Sequence, residues 1–433
     1  MLLGTSTLSN PIVPTAPIPG LKLEQVLDCV HCGICLSVCP TFDILGTEAD
    51  SPRGRIYYIR ALAEGKTDLN PTLVGHLDSC LGCRACETAC PSAVQYGEML
   101  VHVRDAIEKQ FPRSPQERLS RGVLLELLTR PDRLAPAMFG AALGEKLGFG
   151  GMVRAANHFL FGPGAPEMPL PQDASPSVVP LPAYTYAKGE RRATVAILPG
   201  CVMQVLFQRV NLATIRVLAA NGCDVVVPNM GCCGALHEHN GALDGARARA
   251  KEAIRALEAA HVDAIVVNSA GCSATMKQYG HLLADDPYWK ERGEAIAART
   301  MDASEFLVKL GPIAPTHSVD RRVTYHDACH LAHAQKIRTE PRALLKLIPG
   351  LSLVELPNSD WCCGSAGIYN FLQPELATQL QEKKVGHVLS TQPEILVTGN
   401  PGCHAWIEAG LKSRNAPVEV LHTMEVLDRA YHG

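Results

Sequence analysis

The chain has 433 residues, of which 47% are hydrophobic and 19% are charged, so it is long enough for two or three globular domains. Its net charge is −3 and no segment is strongly basic, which leaves no electrostatic basis for binding nucleic acid. No apolar run reaches the roughly 20 residues that a transmembrane helix needs. Residues 1–20 lack the basic and apolar segments of a secretory signal, and we expect a disordered leader there.

Cysteine usage indicates the class of protein. Seventeen cysteines in a chain of this length, without a secretory signal, are not typical of a disulfide framework. They predict metal binding or redox chemistry instead. Sixteen of them belong to two internal repeats, and we expect the remaining one, Cys223, to be a core residue.

The first repeat is the motif C-x₂-C-x₂-C-x₃-C-P, at residues 29–40 and again 51 residues later at 80–91. Three thiolates within seven residues can hold three corners of a cubane cluster, and in two-cluster ferredoxins the fourth cysteine ligates the other cluster. The motif therefore predicts two 4Fe-4S clusters with crossed ligands. The first set is Cys29, Cys32, Cys35 and Cys90, and the second is Cys80, Cys83, Cys86 and Cys39. Zinc is the alternative, but zinc sites typically use two C-x₂₋₄-C pairs rather than triplets.

The 51-residue displacement leaves room for helices between the two motifs, which favours an α-helical ferredoxin domain over residues 21–112. Met99, Val103 and Ile107 follow a helical period. The segment SPRGR at 51–55 contributes two arginines that either compensate cluster charge, dock a partner or are solvated. Residues 113–190 are predicted to be a helical segment followed by a linker, because seven prolines fall within 163–182.

The second repeat covers the C-terminal half, where short apolar strands alternate with helices. We predict strands at 194–199, 224–228 and 264–268, and at 323–326, 351–356 and 395–398. Each copy has four cysteines just after its strands. They are Cys201, Cys232, Cys233 and Cys272 in one copy, and Cys329, Cys362, Cys363 and Cys403 in the other, displaced by 128 to 131 residues. Open α/β sheets build their sites at that place, so a further iron–sulfur cluster or an acceptor site is predicted there. Buried structural thiols are the alternative.

The predicted fold is α+β overall: the helical two-cluster domain, then a duplicated α/β, Rossmann-like unit at 191–315 and 316–433. Several histidines near the repeated cysteines can carry protons or ligate iron, although an ordinary role is expected of each. They are His237, His239, His326, His330 and His333. No dinucleotide, phosphate-loop or Ser-His-Asp motif is recognisable, so we expect no catalytic residue on this chain and substrate oxidation on another polypeptide.

Several segments resemble the iron–sulfur subunits of bacterial glycolate oxidase (glycolate dehydrogenase), across residues 22–430. They are CVHCGICLSVCPTF, SPRGRIYYIRALAEG, HLDSCLGCRACETACPSAVQYG, GCCGA, SAGCSATMKQYG, CHLAHAQK, CCGSAGIYN and NPGC. The wider group of CCG proteins includes subunits of lactate-utilisation, anaerobic glycerol-3-phosphate dehydrogenase and heterodisulfide reductase systems. Heterodisulfide reductase has a C-x-x-C end in its CCG domain, but here Thr275 and Trp406 stand at those positions, which argues against its non-cubane cluster.

The resemblance implies a complex with FAD-binding subunits that oxidise glycolate to glyoxylate, and D-lactate with less preference. Electrons would pass through this chain to quinone or another membrane acceptor. It further implies a cytoplasmic protein associated peripherally with the inner membrane, for which apolar helices within 123–161 are candidates. The alternatives are an electron-transfer subunit of a lactate or glycerol-3-phosphate dehydrogenase, and a thiol–disulfide enzyme like heterodisulfide reductase.

Overall fold

The computed structural model describes residues 18–161 and 180–433. Nearly all of the predicted leader and most of the proline-rich linker lie outside these residues. The chain divides into two compact units. The first runs up to Ser114 and includes Asn240–Ala242, and the second comprises Pro115–His239 and Leu243–Gly433. The predicted domain limits stay a prediction.

The described part of the first unit is helical and contains no strand. Its helices are α1 (Leu23–Leu27), α2 (Pro40–Leu45), α3 (Pro52–Ala63), α4 (Pro71–Asp78), α5 (Ala85–Ala89) and α6 (Tyr96–Gln110), with 3₁₀ turns at Ile34–Leu36 and Glu48–Asp50. Helices α2, α3 and α4 each begin with proline, whose fixed φ suits the first helical position. Ser51 Oγ caps α3 by accepting from Gly54 N at 2.9 Å. The apolar side chains of α3, α4 and α6 form the core of this unit.

The second unit opens with three helices, in the region before the linker where the sequence analysis expects helices. They are α7 (Pro115–Leu128), α8 (Pro131–Lys146) and α9 (Gly150–Phe161). No helix among the described residues is long and apolar enough to cross a membrane.

The rest of the second unit contains two sheets, and the predicted α/β duplication is confirmed. The strands are β1 (Tyr184–Thr185), β2 (Ala193–Ile197), β3 (Cys223–Val226), β4 (Ala264–Val267), β5 (Thr300–Asp302), β6 (Arg322–His326), β7 (Ser352–Glu355), β8 (Ile395–Thr398) and β9 (Glu419–His422). The first sheet has the order β1-β3-β2-β4-β5 and the second β7-β6-β8-β9. All pairs are parallel except β1 with β3. The central strands β4 and β8 are buried throughout, as strands of covered parallel sheets are.

Helices connect the strands of each copy in the same order. In the first copy, residues 193–310, they are α10 (Val202–Leu206), α11 (Gln208–Ala220), α12 (Ala235–His239), α13 (Leu243–Glu258), α14 (Ala270–Met276), α15 (Tyr279–Leu282), α16 (Pro287–Arg299) and α17 (Ala303–Leu310). In the second copy, residues 322–432, they are α18 (Thr339–Lys346), α19 (Tyr369–Leu372), α20 (Pro374–Ser390), α21 (Pro401–Ser413) and α22 (Thr423–His432), with a π-helical turn at His330–Ala334. Each copy therefore has four parallel strands rather than the three predicted.

The two copies pack against each other around one hydrophobic core. Ala270 N donates to Gly399 O at 3.2 Å, and a ring nitrogen of His422 lies 2.9 Å from Asn268 O. The first contact joins the segments just beyond β4 and β8, and the second joins the segment beyond β4 to the end of β9. The cysteine-bearing loops after β4 and β8 are therefore neighbours. Within each sheet the first and third strands of the copy are adjacent, and that reversal of strand order is where open α/β sheets form a crevice.

Candidate iron–sulfur and cysteine sites

The cysteines of the first unit surround two neighbouring cavities. A cavity of about 430 Å³ is lined by Cys29, Cys32, Cys35 and Cys90, and one of about 330 Å³ by Cys39, Cys80, Cys83 and Cys86. Cys86 also lines the first cavity. The four cysteines of each predicted ligand set thus line one cavity, and four thiols around one space fit the coordination of a 4Fe-4S cluster.

Left-handed backbone positions turn each cysteine triplet inward. His31 and Gly33 have φ of 55° and 82°, and the equivalent Gly82 and Arg84 have φ of 63° in both cases. Each motif therefore has one glycine and one strained non-glycine residue at these two positions, and the glycine comes second in the first motif and first in the second motif. The alternation reverses the chain between successive cysteines and brings their sulfurs to one side.

The two cavities share a wall. Pro52, Cys86 and Tyr96 line both of them, and Tyr96 is almost fully buried. Its hydroxyl donates to Cys80 Sγ at 3.5 Å. One layer of side chains therefore separates the two spaces, a short path for an electron.

Arg55 is a buried cation beside the second cavity, with 1% of its surface exposed. Its guanidinium donates to His76 O at 2.7 Å and to Thr41 Oγ1 and Ser79 Oγ at 2.9 Å, and it pairs with Asp50 at 3.5 Å. Of the three roles left open for this arginine, its burial argues against solvation and partner docking, and charge compensation fits. Its hydrogen bonds also brace the surrounding segments, a role that the sequence analysis did not consider.

The charges around Cys80 change its acidity. Burial alone would raise the pKa of the Cys80 thiol, but Arg55 and Arg104 outweigh burial and lower it. Arg53, which lines the first cavity, is more exposed and pairs with Glu48 at 2.7 Å. The arginine beside the second cavity is thus the more deeply buried of the two.

In the first copy of the α/β unit, the four cysteines form one hydrogen-bonded group. Cys232 contacts both Cys201 and Cys233, and Cys233 contacts Cys272. The pKa of Cys232 lies well below its usual range because the thiols of Cys201 and Cys233 hydrogen-bond to its sulfur. The cysteines follow β2, β3 and β4, so the predicted convergence of three loops occurs.

The second copy repeats the arrangement. Cys362 contacts Cys329 and Cys363, and Cys363 contacts Cys403. Asn400 Nδ2 donates to Cys403 Sγ at 3.5 Å. The structure therefore brings all eight of these cysteines together in two groups of four. The roles assigned to them remain predictions.

The glycine of each CCG turn packs against the following helix. A side chain at Gly364, whose φ is 94°, would place its Cβ 2.6 Å from Ala377 O. At Gly234, with φ of 93°, the same atom would lie 2.9 Å from Ala246 O. The close approach and the positive φ both require glycine, and together they hold the two adjacent cysteines at the end of the crevice.

The five histidines differ in their surroundings. His237 hydrogen-bonds Cys232, and His326 lies against Cys363 and Cys403. His239 and His330 pack edge to face with ring centroids 4.5 Å apart, and a ring nitrogen of His333 lies 3.1 Å from Asp360 O. Burial holds the pKa of His326 well below its usual range, so the ring is neutral.

Lys384 is a buried residue that the sequence analysis missed. Its ammonium donates to Asn358 O at 2.6 Å, and burial lowers its pKa to about 8 against the opposing charges of Cys363 and Cys362. A single lysine within a helical pattern gives no signal of burial. Cys223, in contrast, is fully buried in the core at the start of β3, as expected.

Comparison with known families supports this architecture. Residues 25–94 match the family described as "4Fe-4S dicluster domain", and residues 195–277 and 323–408 match the family described as "Cysteine-rich domain". The fold and the two kinds of cysteine site define an iron–sulfur protein of the electron-transfer class, with one dicluster domain and two CCG domains.

Comparison with individual relatives identifies the family within this class of protein. The chain is 36% identical over 422 residues to "Probable glycolate oxidase iron-sulfur subunit" of Bacillus subtilis (strain 168), with 93% of each chain covered. It is 35% identical to "Glycolate oxidase iron-sulfur subunit" of Escherichia coli (strain K12), covering 95% of this chain and 96% of that one. The chain belongs to the family of glycolate oxidase iron–sulfur subunits.

Two further similarities are more limited. "Lactate utilization protein A" of Shouchella clausii (strain KSM-K16) is 31% identical over 236 residues, which is 54% of this chain and 98% of that one. The crystal structure of a hypothetical protein from Helicobacter pylori aligns with a TM-score of 0.51 at 9% identity, covering 88% of this chain and 68% of that one. The second similarity shows the fold alone.

We predict that Arg55→Met destabilises the first unit by about 3–5 kcal/mol, because it leaves Asp50 buried without its cation. Hydrogen exchange of α3 and α4, measured by mass spectrometry, checks this, since the tryptophans (Trp289, Trp361 and Trp406) all lie in the second unit. Arg53→Met is the matched control on the same helix and should have a much smaller effect, because its ion pair with Glu48 is exposed. Equal losses in the two variants would contradict the role of Arg55.

Proposed function

We propose that this chain carries electrons within a glycolate oxidase complex, from FAD-bound oxidation of glycolate to glyoxylate on a partner subunit toward a membrane acceptor such as quinone. The observation that carries the proposal is similarity over at least 93% of the chain to two proteins named as glycolate oxidase iron–sulfur subunits. The relative named for lactate utilisation matches only 54% of the chain. D-lactate is proposed as a poorer substrate of the same complex.

The proposed cluster ligands are the two crossed sets of cysteines. Each set lines one cavity, and Cys86 and Tyr96 stand between the two cavities. Bound 4Fe-4S clusters would supply one-electron transfer at these places. These thiolates would hold the two clusters one layer of side chains apart, with the buried Tyr96 in that layer.

Arg55 gives the proposed route a direction. Its buried guanidinium favours additional negative charge in the cavity of Cys39 and Cys80, where the lower dielectric constant strengthens the interaction. Arg53, on the other cavity, is partly solvated. The centre beside Arg55 is therefore the better electron acceptor of the two.

Peripheral membrane association is part of the proposal. Large apolar side chains are exposed on α8 and α9 and in the segment between these helices, and the residues that the structure describes leave them uncovered. They are Phe139, Leu143, Leu147, Phe149, Met152 and Phe159. Such a group is typical of a surface that meets a partner subunit or the interfacial layer of a membrane.

The crossed ligation predicts which serine variants behave alike. Cys32 and Cys83 each belong to one set whether or not the ligands cross, so Cys32→Ser and Cys83→Ser serve as references. We expect Cys90→Ser to lose the same EPR signal as Cys32→Ser, and Cys39→Ser to lose the same signal as Cys83→Ser, in redox titrations of the full chain. The opposite pairing would show that each motif keeps its own fourth cysteine.

The substrate is tested with the complex purified together with its flavin subunits. Under anaerobic conditions, glycolate should reduce the clusters of this chain, as seen by EPR, faster than D-lactate does, and glycerol 3-phosphate should not reduce them. The chain alone is the control: dithionite should reduce its clusters and glycolate should not. Faster reduction by D-lactate or glycerol 3-phosphate would assign the chain to a different dehydrogenase.

A further inference from the structure

His326 is a fully buried histidine at the carboxyl end of β6. Neither of its ring nitrogens makes a well-formed hydrogen bond with any described residue, although the Ser359 carbonyl lies beside the ring. The Ser359 carbonyl can serve one ring nitrogen at most, and a buried polar nitrogen without a partner is costly, so the other nitrogen needs an explanation.

The side chain of His326 belongs to a compact donor group. One ring nitrogen of His326 and the sulfurs of Cys363 and Cys403 all lie within 4.8 Å of one another, and no other group of three such donors occurs among the described residues. The eight cysteines of the first unit form no such group and instead surround cavities of about 430 and 330 Å³. The spacing in the second copy therefore suits a single ion, whereas the first unit leaves room for larger centres.

The topology explains why these three residues meet. His326 ends β6, Cys363 lies in the loop after β7, and Cys403 lies in the first turn of α21, just after β8. These three strands are adjacent and parallel, so their carboxyl ends share one edge of the sheet. Each donor thus comes from a different strand, and all three are buried.

The first copy lacks the imidazole. The displacement of 128 residues that relates Cys201 to Cys329 places Leu198 at the position of His326, and Leu198 is buried and apolar. Its own histidine, His237, contacts Cys232 from a different element, α12. The two copies therefore share the same arrangement of strands but differ in the side chains that could bind a metal ion.

A counter-charge is also present only in the second copy. Lys384 lies on α20 with 2% of its surface exposed, and its nearest charged neighbours include Cys363, Cys362 and Asp360. The displacement of 131 residues that relates Cys272 to Cys403 places Ala253 at its position. A divalent ion with three thiolates and a neutral imidazole has a net charge of −1, which one ammonium group balances.

We propose that the second copy binds a single divalent ion of the zinc type through His326, Cys363 and Cys403, with the thiolate of Cys329 or Cys362 as the fourth ligand. Zinc favours tetrahedral sites of cysteine and histidine, and structural zinc sites are closed. The Ser359 carbonyl beside the ring is in the position of the backbone oxygen that commonly orients a metal-bound imidazole. The site stabilises the second copy and is not a stage of the electron route.

The test uses the full chain, purified anaerobically from cells supplied with iron, with iron and zinc measured on the same sample. We expect about one zinc per chain in addition to a full complement of iron in the first unit. Zinc K-edge X-ray absorption should show nitrogen at about 2.0 Å and sulfur at about 2.3 Å. No zinc in iron-replete protein, or a shell of sulfur alone, would overturn the proposal.

Variants of His326 identify the ligand. His326→Leu, which introduces the residue of the first copy, should lose zinc to a chelator at least about tenfold faster. His326→Cys should retain zinc with an all-sulfur shell. His404→Leu is the matched control, because His404 is also buried with both ring nitrogens unpaired but belongs to no donor group, and its zinc shell should stay mixed.

Other outcomes are decisive as well. An unchanged zinc coordination shell in His326→Leu would contradict the proposal. Loss of iron rather than zinc from that variant would also contradict it and would indicate an iron centre in the second copy. If His326→Leu does not fold, the wild-type spectrum decides by itself. The proposed function is tested independently by the reduction of the clusters with glycolate, because that reaction does not require zinc.

Discussion

The negative charge that thiolates acquire as ligands is the constraint on which this structure depends. Such groups cannot be buried unless cations and hydrogen-bond donors lie beside them. In the first unit Arg55 and Arg104 lower the pKa of Cys80 despite its burial. In the second copy of the α/β unit the buried ammonium of Lys384 lies near Cys362 and Cys363, whose charges oppose the lowering of its pKa by burial. Each cation is itself held by backbone carbonyl oxygens, so it is available to the thiolates without moving.

The two copies of the α/β unit have the same strand order, as expected of a duplication, and differ in the side chains around their cysteines. The CCG glycines Gly234 and Gly364 pack against their helices in nearly the same way, which keeps the adjacent cysteines at equivalent positions. The surrounding residues differ, as Leu198 replaces His326 and Ala253 replaces Lys384. The shared fold therefore fixes the positions of the cysteines, and single buried side chains give each copy a different set of potential ligands.

Much of this architecture follows from the sequence for clear reasons. Fixed spacing revealed the cysteine groups, and apolar runs located β2, β4, β6 and β8, because buried parallel strands are continuous in hydrophobicity. The fourth strand of each copy was missed: β5 is only three residues long and carries Asp302, and β9 begins with Glu419. Burial of Arg55 and Lys384, and the orientation of His326 toward Cys363, depend on contacts between distant segments. No local pattern encodes such contacts.

The central claim is that the first unit holds two cubane clusters in cavities built from exchanged cysteines. Mössbauer spectroscopy of the full chain, enriched in ⁵⁷Fe and prepared anaerobically, tests it most directly. The account predicts about eight irons in the first unit, all in two 4Fe-4S clusters, and both clusters lost when Cys32 and Cys83 are replaced together. Fewer than about eight irons in a fully reconstituted sample, or irons in mononuclear or two-iron sites, would contradict it.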